Sequence, residues 1–404
     1  MVAVQYNPFV PEVHANPYPV FRQLREEDPV HWSELMDAWV LTRYADVVAV
    51  LKHPRFSADR RRARNRFAQQ AAMTLEEQGP LARAATMLTA DPPEHTRLRG
   101  LVSKAFTIRA VEAMRPRIQR ITDELLDAAQ EKGELDVIWD LGYPLPVIVI
   151  AEMLGVPAER RDDFKRWSND IVATLGGPFV APEVLERGQQ SAHEMAEYFR
   201  GVIDERRRAP KDDLLSGLIA AEERGEALSE DEMIATCMLL LAAGNETTTN
   251  LIANGTLALL RNPEQLDRLR NDPSLVESAV EEFLRYDGPV QGTARVALED
   301  VEIGGKQVEE GQLVFTLLAA ANHDPTVFAA PDELDVARRD NRHVAFGFSI
   351  HFCLGAPLAR LEGQIAFETI LRRLLNLRLA TDEVEWGGTF ILRGLKKLPV
   401  TFGA

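Results

Sequence analysis

The sequence predicts a mainly α-helical fold with a small β region, formed by one domain over residues 1–404. Three observations favour this class. Amphipathic segments follow one another from Thr107 to about Glu226, a long apolar segment begins after Ser229, and short strand-like runs occur near the N-terminus and at residues 301–308. A chain of 404 residues could hold roughly two or three average domains, but single folds of this size exist.

The composition argues against several classes of protein. The formal net charge of −16 leaves no excess of basic residues to neutralise phosphates, so nucleic acid is not expected as a partner. Only Cys237 and Cys353 are present, which argues against a disulfide framework. Residues 1–20 show no signal peptide, and the longest apolar stretches are too short to span a membrane. We therefore expect a soluble, cytoplasmic protein.

The N-terminal part combines helix and strand signals, and a β region is expected at roughly residues 28–60. The pattern predicts, in order, a helix at Val20–Glu27, strands at Val30–Trp32 and Ala38–Thr42, and a helix at Tyr44–His53. A run rich in arginine follows, from Arg60 to Arg66, within a stretch of uncertain structure that reaches Leu88. Such a run fits a solvated surface, and it also fits a loop whose guanidinium groups attract a carboxylate.

Two basic residues share one face of the next predicted helix. Pro92 and Pro93 form a turn that leads into it, and His95 and Arg99 follow at positions i and i+4. Surface residues often have this spacing, so the pair alone does not indicate a binding site.

The longest predicted helix begins at the capping box Ser229–Glu232 and ends just before Pro263. Its middle is polar where the pattern requires apolar residues. There, Gly244 weakens the helix and the Thr247 hydroxyl can return to the carbonyl of Ala243, which predicts a local opening. The Glu246 carboxylate beside that hydroxyl could hold water and relay protons.

A cysteine near the C-terminus lies where a helix is predicted to begin. Cys353 precedes the run Ala356–Glu362, so backbone N–H groups and the positive end of the helix dipole favour its thiolate. A structural zinc ion requires more protein ligands than one cysteine, whereas a haem iron accepts a single thiolate. An inert buried cysteine is the alternative.

The residues Phe346–Gly355 resemble the cysteine-ligand loop of the cytochrome P450 family, Phe-Gly-x-Gly-x-His-x-Cys-x-Gly, with Ser349 in place of the second glycine. The run Ala243–Thr247 is similar to the family's oxygen-activation motif, and Glu282 and Arg285 match its Glu-x-x-Arg pair. The resemblance implies the cytochrome P450 fold, a single large domain shaped like a triangular prism, as in the soluble bacterial members.

The resemblance also implies a role for each site residue. Haem b would lie between the long helix and the loop, with Cys353 as the iron ligand, Thr247 steadying dioxygen and Glu246 supplying protons. The other implied haem contacts are His95, Arg99, Ala243, Gly244, Arg295, Phe346, His351 and Gly355. The implied substrate pocket contains Leu240, Ala243, Val290, Gln291 and Ile391. Glu282 and Arg285 would be structural, completed by either Arg338 or His343.

The implied reaction is insertion of one oxygen atom from dioxygen into an apolar substrate, by a haem-thiolate monooxygenase. No Gly-x-Gly-x-x-Gly follows a strand, so the electrons are expected from a separate ferredoxin with its reductase. Lys104, Arg109, Arg115 and Arg360 are the candidates for its docking patch. The alternatives are a peroxide-driven peroxygenase or fatty-acid decarboxylase, a non-catalytic haem sensor, and a hydrolase that uses Cys353 and His351.

Overall fold

The computed structural model describes residues 6–65, 84–174, 180–222 and 228–403. It is 57% helical and 12% strand, which confirms the predicted mainly helical class. Arg66 and most of the uncertain stretch before Leu88 lie outside the described residues.

The α-helices occur throughout the described chain. They are α1 (Pro11–Ala15), α2 (Tyr18–Glu27), α3 (Tyr44–Lys52), α4 (Glu94–Ala105), α5 (Ile108–Ala113), α6 (Arg115–Lys132), α7 (Pro144–Met153), α8 (Arg161–Ala173), α9 (Pro182–Arg208), α10 (Leu214–Glu222), α11 (Glu230–Arg261), α12 (Pro263–Asn271), α13 (Val276–Asp287), α14 (Leu318–Ala321) and α15 (Ala356–Arg373).

Within the described ranges, the strands are short and form four small sheets. They are β1 (Val30–Ser33), β2 (Ala38–Leu41), β3 (Phe56–Ser57), β4 (Leu135–Asp136), β5 (Thr293–Ala297), β6 (Val301–Ile303), β7 (Lys306–Val308), β8 (Leu313–Thr316), β9 (Leu375–Leu379), β10 (Trp386–Gly388), β11 (Arg393–Leu395) and β12 (Pro399–Gly403).

The largest sheet joins distant parts of the sequence. Its strand order is β1-β2-β8-β5-β3, with β2 parallel to β8 and the other neighbours antiparallel. The N-terminal strands are therefore completed by strands that lie more than 200 residues later, from Thr293 to Thr316. The strand-like runs predicted at residues 301–308 form the pair β6 and β7, joined by a turn in which Gly304 and Gly305 adopt positive φ.

The core is built around α11, which contacts α7, α8, α9, α13 and α15. Gly255 allows a close approach here, since a Cβ at this position would come within 2.6 Å of Phe367 and 2.9 Å of Phe283. These two buried rings pack with their centroids 4.6 Å apart. The packing fixes α15, and with it the loop that precedes α15, against the central helix. Among the described residues, no helix is both long and apolar enough to cross a membrane.

Candidate functional site

The loop before α15 wraps tightly around Cys353. The Cys353 N–H donates to the Phe346 carbonyl at 2.8 Å, and Gly347 adopts a φ of +73°. Ser349 also lies in the left-handed region, with φ +62°, at the start of a 3₁₀ turn that ends at His351. Serine thus takes the conformation that a glycine would adopt here more easily, and the loop still closes.

Opposing effects act on the pKa of the Cys353 thiol. Burial raises its pKa, while the N–H groups of Gly355 and Ala356 and the charges of Arg99 and Arg360 act in the other direction. Burial prevails, although the N–H groups at the start of α15 act in the direction that the sequence predicted. The side chain is nevertheless accessible, and a bound metal ion would hold the sulfur deprotonated.

A cluster of basic side chains lies beside this loop. The His95 and His351 rings are 4.4 Å apart, and Arg99 Nη2 donates to the Phe352 carbonyl at 2.6 Å. Burial, followed by the charges of Arg295 and His95, lowers the pKa of His351 to about 4. Burial and the charge of Arg60 lower the pKa of Arg295 to about 10. Asp91 acts on these groups as a counter-charge, but the cluster keeps an excess of positive charge and would bind an anion.

One atom of this cluster has no internal partner. His95 is 3% exposed, and its Nε2 makes no hydrogen bond within the described residues. A buried polar group without a partner is costly, so a ligand that accepts a hydrogen bond here would stabilise the folded chain.

The central helix presents Leu240, Ala243, Gly244 and Thr247 at spacings that place them on one face. The Thr247 hydroxyl donates to the Ala243 carbonyl at 2.8 Å, as the sequence predicted. The predicted local opening is wrong, however, because the helix is continuous from Glu230 to Arg261. A threonine hydroxyl can bond to the carbonyl four residues earlier while that carbonyl keeps its backbone hydrogen bond, so the helix remains unbroken.

Glu246 lies on a different face of α11 and lines a cavity of about 1160 Å³. Thr249 and Asn250 also line it, together with Trp139 and Phe390 from other parts of the chain. Burial raises the pKa of Glu246 to about 7, and the side chain of Asn250 acts weakly against that shift. Glu246 is therefore part protonated near neutral pH and has access to a cavity.

The predicted pocket residues from two loops lie side by side. Val290 forms a β-bridge with Leu392, and the Gln291 N–H donates to the Ile391 carbonyl at 2.8 Å. Gln291 is 4% exposed, and its side-chain oxygen has no hydrogen-bond partner among the described residues.

Glu282 and Arg285 form a fully buried pair with N–O distances of 2.8 Å. Arg338 Nε donates to the same carboxylate at 3.0 Å, and Asn341 donates to it at 3.1 Å. His343 instead contacts Glu281 at 3.1 Å. Of the two candidates left open by the sequence, Arg338 is therefore the one that joins the Glu282 network.

A family model described as Cytochrome P450 matches residues 4–382. The chain belongs to the cytochrome P450 family. The family assignment from the loop motif is thus confirmed, and the protein is a P450 monooxygenase with a haem whose iron is ligated by cysteine. P450s also take small-molecule substrates and typically use redox partners.

Similar proteins include cytochrome P450 107B1 of Saccharopolyspora erythraea, 47% identical over 95% of this chain and 94% of that protein. The vitamin D(3) 25-hydroxylase of Pseudonocardia autotrophica is 43% identical over 96% of this chain and 94% of that protein. Among solved structures, myxobacterial cytochrome P450 CYP267B1 in complex with myristic acid gives a TM-score of 0.89 at 43% identity, covering 98% of each chain.

The residues of this P450 fit a haem. An accessible cysteine provides a soft ligand, and the basic cluster provides donors for the two propionates of the porphyrin. On α11, a Cβ added to Gly244 would meet only Ile150, at 3.9 Å, so small side chains leave this helix face open.

Part of the predicted docking patch is already paired in this P450. Arg360 donates to both oxygens of Glu281, at 2.6 and 2.8 Å, and is only partly exposed. Arg115 pairs with Glu112. Lys104 and Arg109 are exposed. Arg360 and Arg115 therefore already hold carboxylates of this chain.

Sequence reasoning missed Glu362 in this P450. Glu362 is 1% exposed on α15, and burial raises the pKa of its carboxyl to about 8. A signal was present, because Glu362 shares the apolar face of Leu358 and Ile365 at spacings of four and three residues. No comparable signal indicated Glu281, which pairs with both Arg360 and His343.

Proposed function

We propose that Cys353 ligates the haem iron and that the protein inserts one oxygen atom from dioxygen into an apolar organic substrate, by hydroxylation or epoxidation. The observation that carries this proposal is an accessible cysteine held beside a basic cluster without enough counter-charge. The other cysteine, Cys237, is fully buried in the core, and burial raises the pKa of its thiol to about 12. Cys237 is therefore unsuited to a ligand role.

His95, Arg99, Arg295 and His351 would bind the haem propionates, and Phe346 and Gly355 would shape the loop around the sulfur. When bound, the haem supplies the dioxygen chemistry, in which a thiolate ligand favours O–O cleavage. The ring of Phe346 is held by the Arg360 guanidinium, whose centre lies 4.8 Å from the ring centroid. Arg360 in turn is fixed by Glu281.

Proton supply would come from α11. Glu246 carries a carboxyl that is part protonated near neutral pH and can exchange protons with the cavity that it lines. The Thr247 hydroxyl is one residue further along and holds its proton toward the Ala243 carbonyl at 2.8 Å. A rotation of this side chain would redirect the proton to the open face formed by Ala243 and Gly244.

Electrons would come from a separate ferredoxin with its reductase. Exposed Lys104 and Arg109 lie on α4 and α5, and α4 also carries Arg99, which binds the cysteine loop through the Phe352 carbonyl. Basic residues close to that loop would complement an acidic electron donor.

The test compares Cys353→Ala with Cys237→Ala. We expect purified Cys353→Ala to lose the haem-thiolate absorption signature with carbon monoxide, while Cys237→Ala retains it. Retention of an unchanged signature in Cys353→Ala would overturn the ligand assignment. Wild-type turnover is then measured with ferredoxin and reductase, and separately with hydrogen peroxide alone. Product formed only with peroxide would contradict the monooxygenase reaction with a protein electron donor.

A further inference from the structure

The arginines that follow β3 differ in whether they pair with a carboxylate. Arg61 pairs with Asp59, and Arg64 pairs with Glu310. Arg62 lies 3.9 Å from both Asp59 and Asp91. These charges are neutralised at the surface and are poor candidates for ligand binding.

Arg60 differs from its neighbours. Its guanidinium pairs with no carboxylate among the residues that the structure describes, although three other arginines of the run do so. Arg60 begins a 3₁₀ turn, Arg60–Arg62, that packs against β5, the strand that carries Arg295. An anion from outside the fold can therefore pair with Arg60 without displacing a carboxylate of the described chain.

Arg60 is open to a ligand and also has protein around it. Much of its surface is accessible, and burial lowers the pKa of its guanidinium. A ligand that reached Arg60 would therefore also meet the chain beside it, which includes the strand that carries Arg295. Cys353 has the same combination, with an accessible side chain and a pKa raised by burial.

Arg60 lies at one end of the basic cluster. Its charge lowers the pKa of Arg295, whereas it is not among the groups that shift the pKa of His95 or of His351. The nearby carboxylate of Asp91 is already engaged, because it accepts hydrogen bonds from Ser57 Oγ and from the Ala58 N–H. Arg60 thus extends the cluster beyond the residues that are proposed to hold the haem.

We propose that Arg60 binds a carboxylate of the substrate, and that this P450 therefore acts on apolar carboxylic acids. The inference rests on the proposed function, because it assumes that haem and substrate bind beside the basic cluster. An arginine offers two parallel donors to a carboxylate, which gives orientation as well as affinity. The substrate would be fixed by its acidic end, and an apolar part would extend toward the open face of α11.

The test uses octanoic, dodecanoic and hexadecanoic acids and one steroid carboxylic acid, each beside its methyl ester. Binding is measured by the ligand-induced change in haem absorption and by calorimetric titration, at a pH where the acids are ionised. We expect the wild-type protein to bind at least one acid about ten- to a hundredfold more tightly than its ester. Arg60→Gln should remove this preference and leave ester affinity unchanged.

Two further variants control the experiment. Arg60→Lys keeps the charge and should retain part of the preference. Arg64→Gln removes an arginine of the same run that is paired with Glu310, and it should behave as the wild type does. A wild-type protein that binds no acid more tightly than its ester would overturn the proposal, and so would an Arg60→Gln protein that keeps the preference.

The propionates of the haem are the other source of a carboxylate, and haem content per chain distinguishes the two. If Arg60→Gln loses haem while the remaining holoprotein keeps its preference for acids, Arg60 binds a propionate and the proposal is wrong. Failure of the proposed function would look different, since the wild-type protein would then show no haem-thiolate signature. Calorimetry would still report whether Arg60 distinguishes acid from ester in that protein.

Discussion

Arg285 and Arg295 are both buried, but the fold pairs the charge of Arg285 with a carboxylate and leaves that of Arg295 without one among the described residues. Arg285, 1% exposed, meets both oxygens of Glu282 at 2.8 Å and the carbonyls of Asn322, Pro331 and Glu333. Among the described residues, Arg295, 7% exposed, donates only to Ala294 and Thr293, and another arginine lies nearby. A buried charge that the fold satisfies holds the fold together. One that the fold leaves unsatisfied indicates where a ligand binds.

The largest loss of stability is expected at Glu282, whose carboxylate pairs with Arg285. Glu282→Gln would leave Arg285 and Arg338 buried without their shared carboxylate. Breaking a buried pair in this way costs about 3–5 kcal/mol, so we expect a large fall in the free energy of unfolding measured with urea. Glu277→Gln, an exposed position on the same helix, is the matched control. A Glu282→Gln protein as stable as this control would show that the network is not what holds the meander at residues 331–338.

No loss of stability is expected at Arg295, whose charge has no carboxylate partner among the described residues. Arg295→Met removes a buried guanidinium whose pKa is lowered to about 10, so the haem-free chain should unfold with unchanged or higher free energy. Haem binding should weaken about ten- to a hundredfold, because a charge-assisted hydrogen bond of about 1.5–3 kcal/mol is lost. Haem affinity is measured by transfer to a haem-scavenging protein.

Arg295→Lys serves as the control for this prediction, since it retains the charge while changing the shape of the donor group. It should fall between the wild type and Arg295→Met in haem affinity. If the haem-free Arg295→Met chain loses stability as Glu282→Gln does, then Arg295 belongs with Arg285 and the distinction between the two sites fails.

The two sites also differ in how far the sequence could predict them. The cysteine loop, the capping box at Ser229 and the pair Glu282–Arg285 follow from local spacing, which the chain carries in consecutive residues. The choice of Arg338 over His343 depends on how the chain between residues 331 and 343 folds back onto α13, which no local pattern specifies. For the same reason, the sequence did not separate Arg60 from its paired neighbours.

Helix periodicity had its own limit. It indicated α11 and its polar centre correctly, but it could not show that Glu246 and Thr247 face different spaces, because that depends on what packs around the helix. The low helix propensity of Gly244 also predicted a local opening that is not present, since contacts with neighbouring helices keep α11 continuous.

Glu362 extends the comparison to an acid, and the effect expected here is a change of stability with pH. Its carboxyl is buried on α15, one of its oxygens has no partner among the described residues, and the hydroxyl of Thr248 is its stabilising contact. Burial raises the pKa of this carboxyl from 4.5 to about 8, so the folded chain binds a proton between these values that the unfolded chain has released. The free energy of unfolding should therefore fall as pH rises through this window, by up to about 1.4 kcal/mol per pH unit for this group.

Glu362→Gln keeps the shape of the neutral acid and cannot ionise, so it should remove this group's share of the pH dependence. The measured quantity is the difference in unfolding free energy between variant and wild type, followed by urea denaturation from about pH 5 to 8. This difference should grow with pH in favour of the variant, because other titrating groups cancel in it. Glu368→Gln, at an exposed position of the same helix, should give a difference that does not change with pH. A constant difference for Glu362→Gln as well would mean that the fold supplies this carboxylate with a partner, which would place Glu362 beside Glu282 rather than beside Arg295.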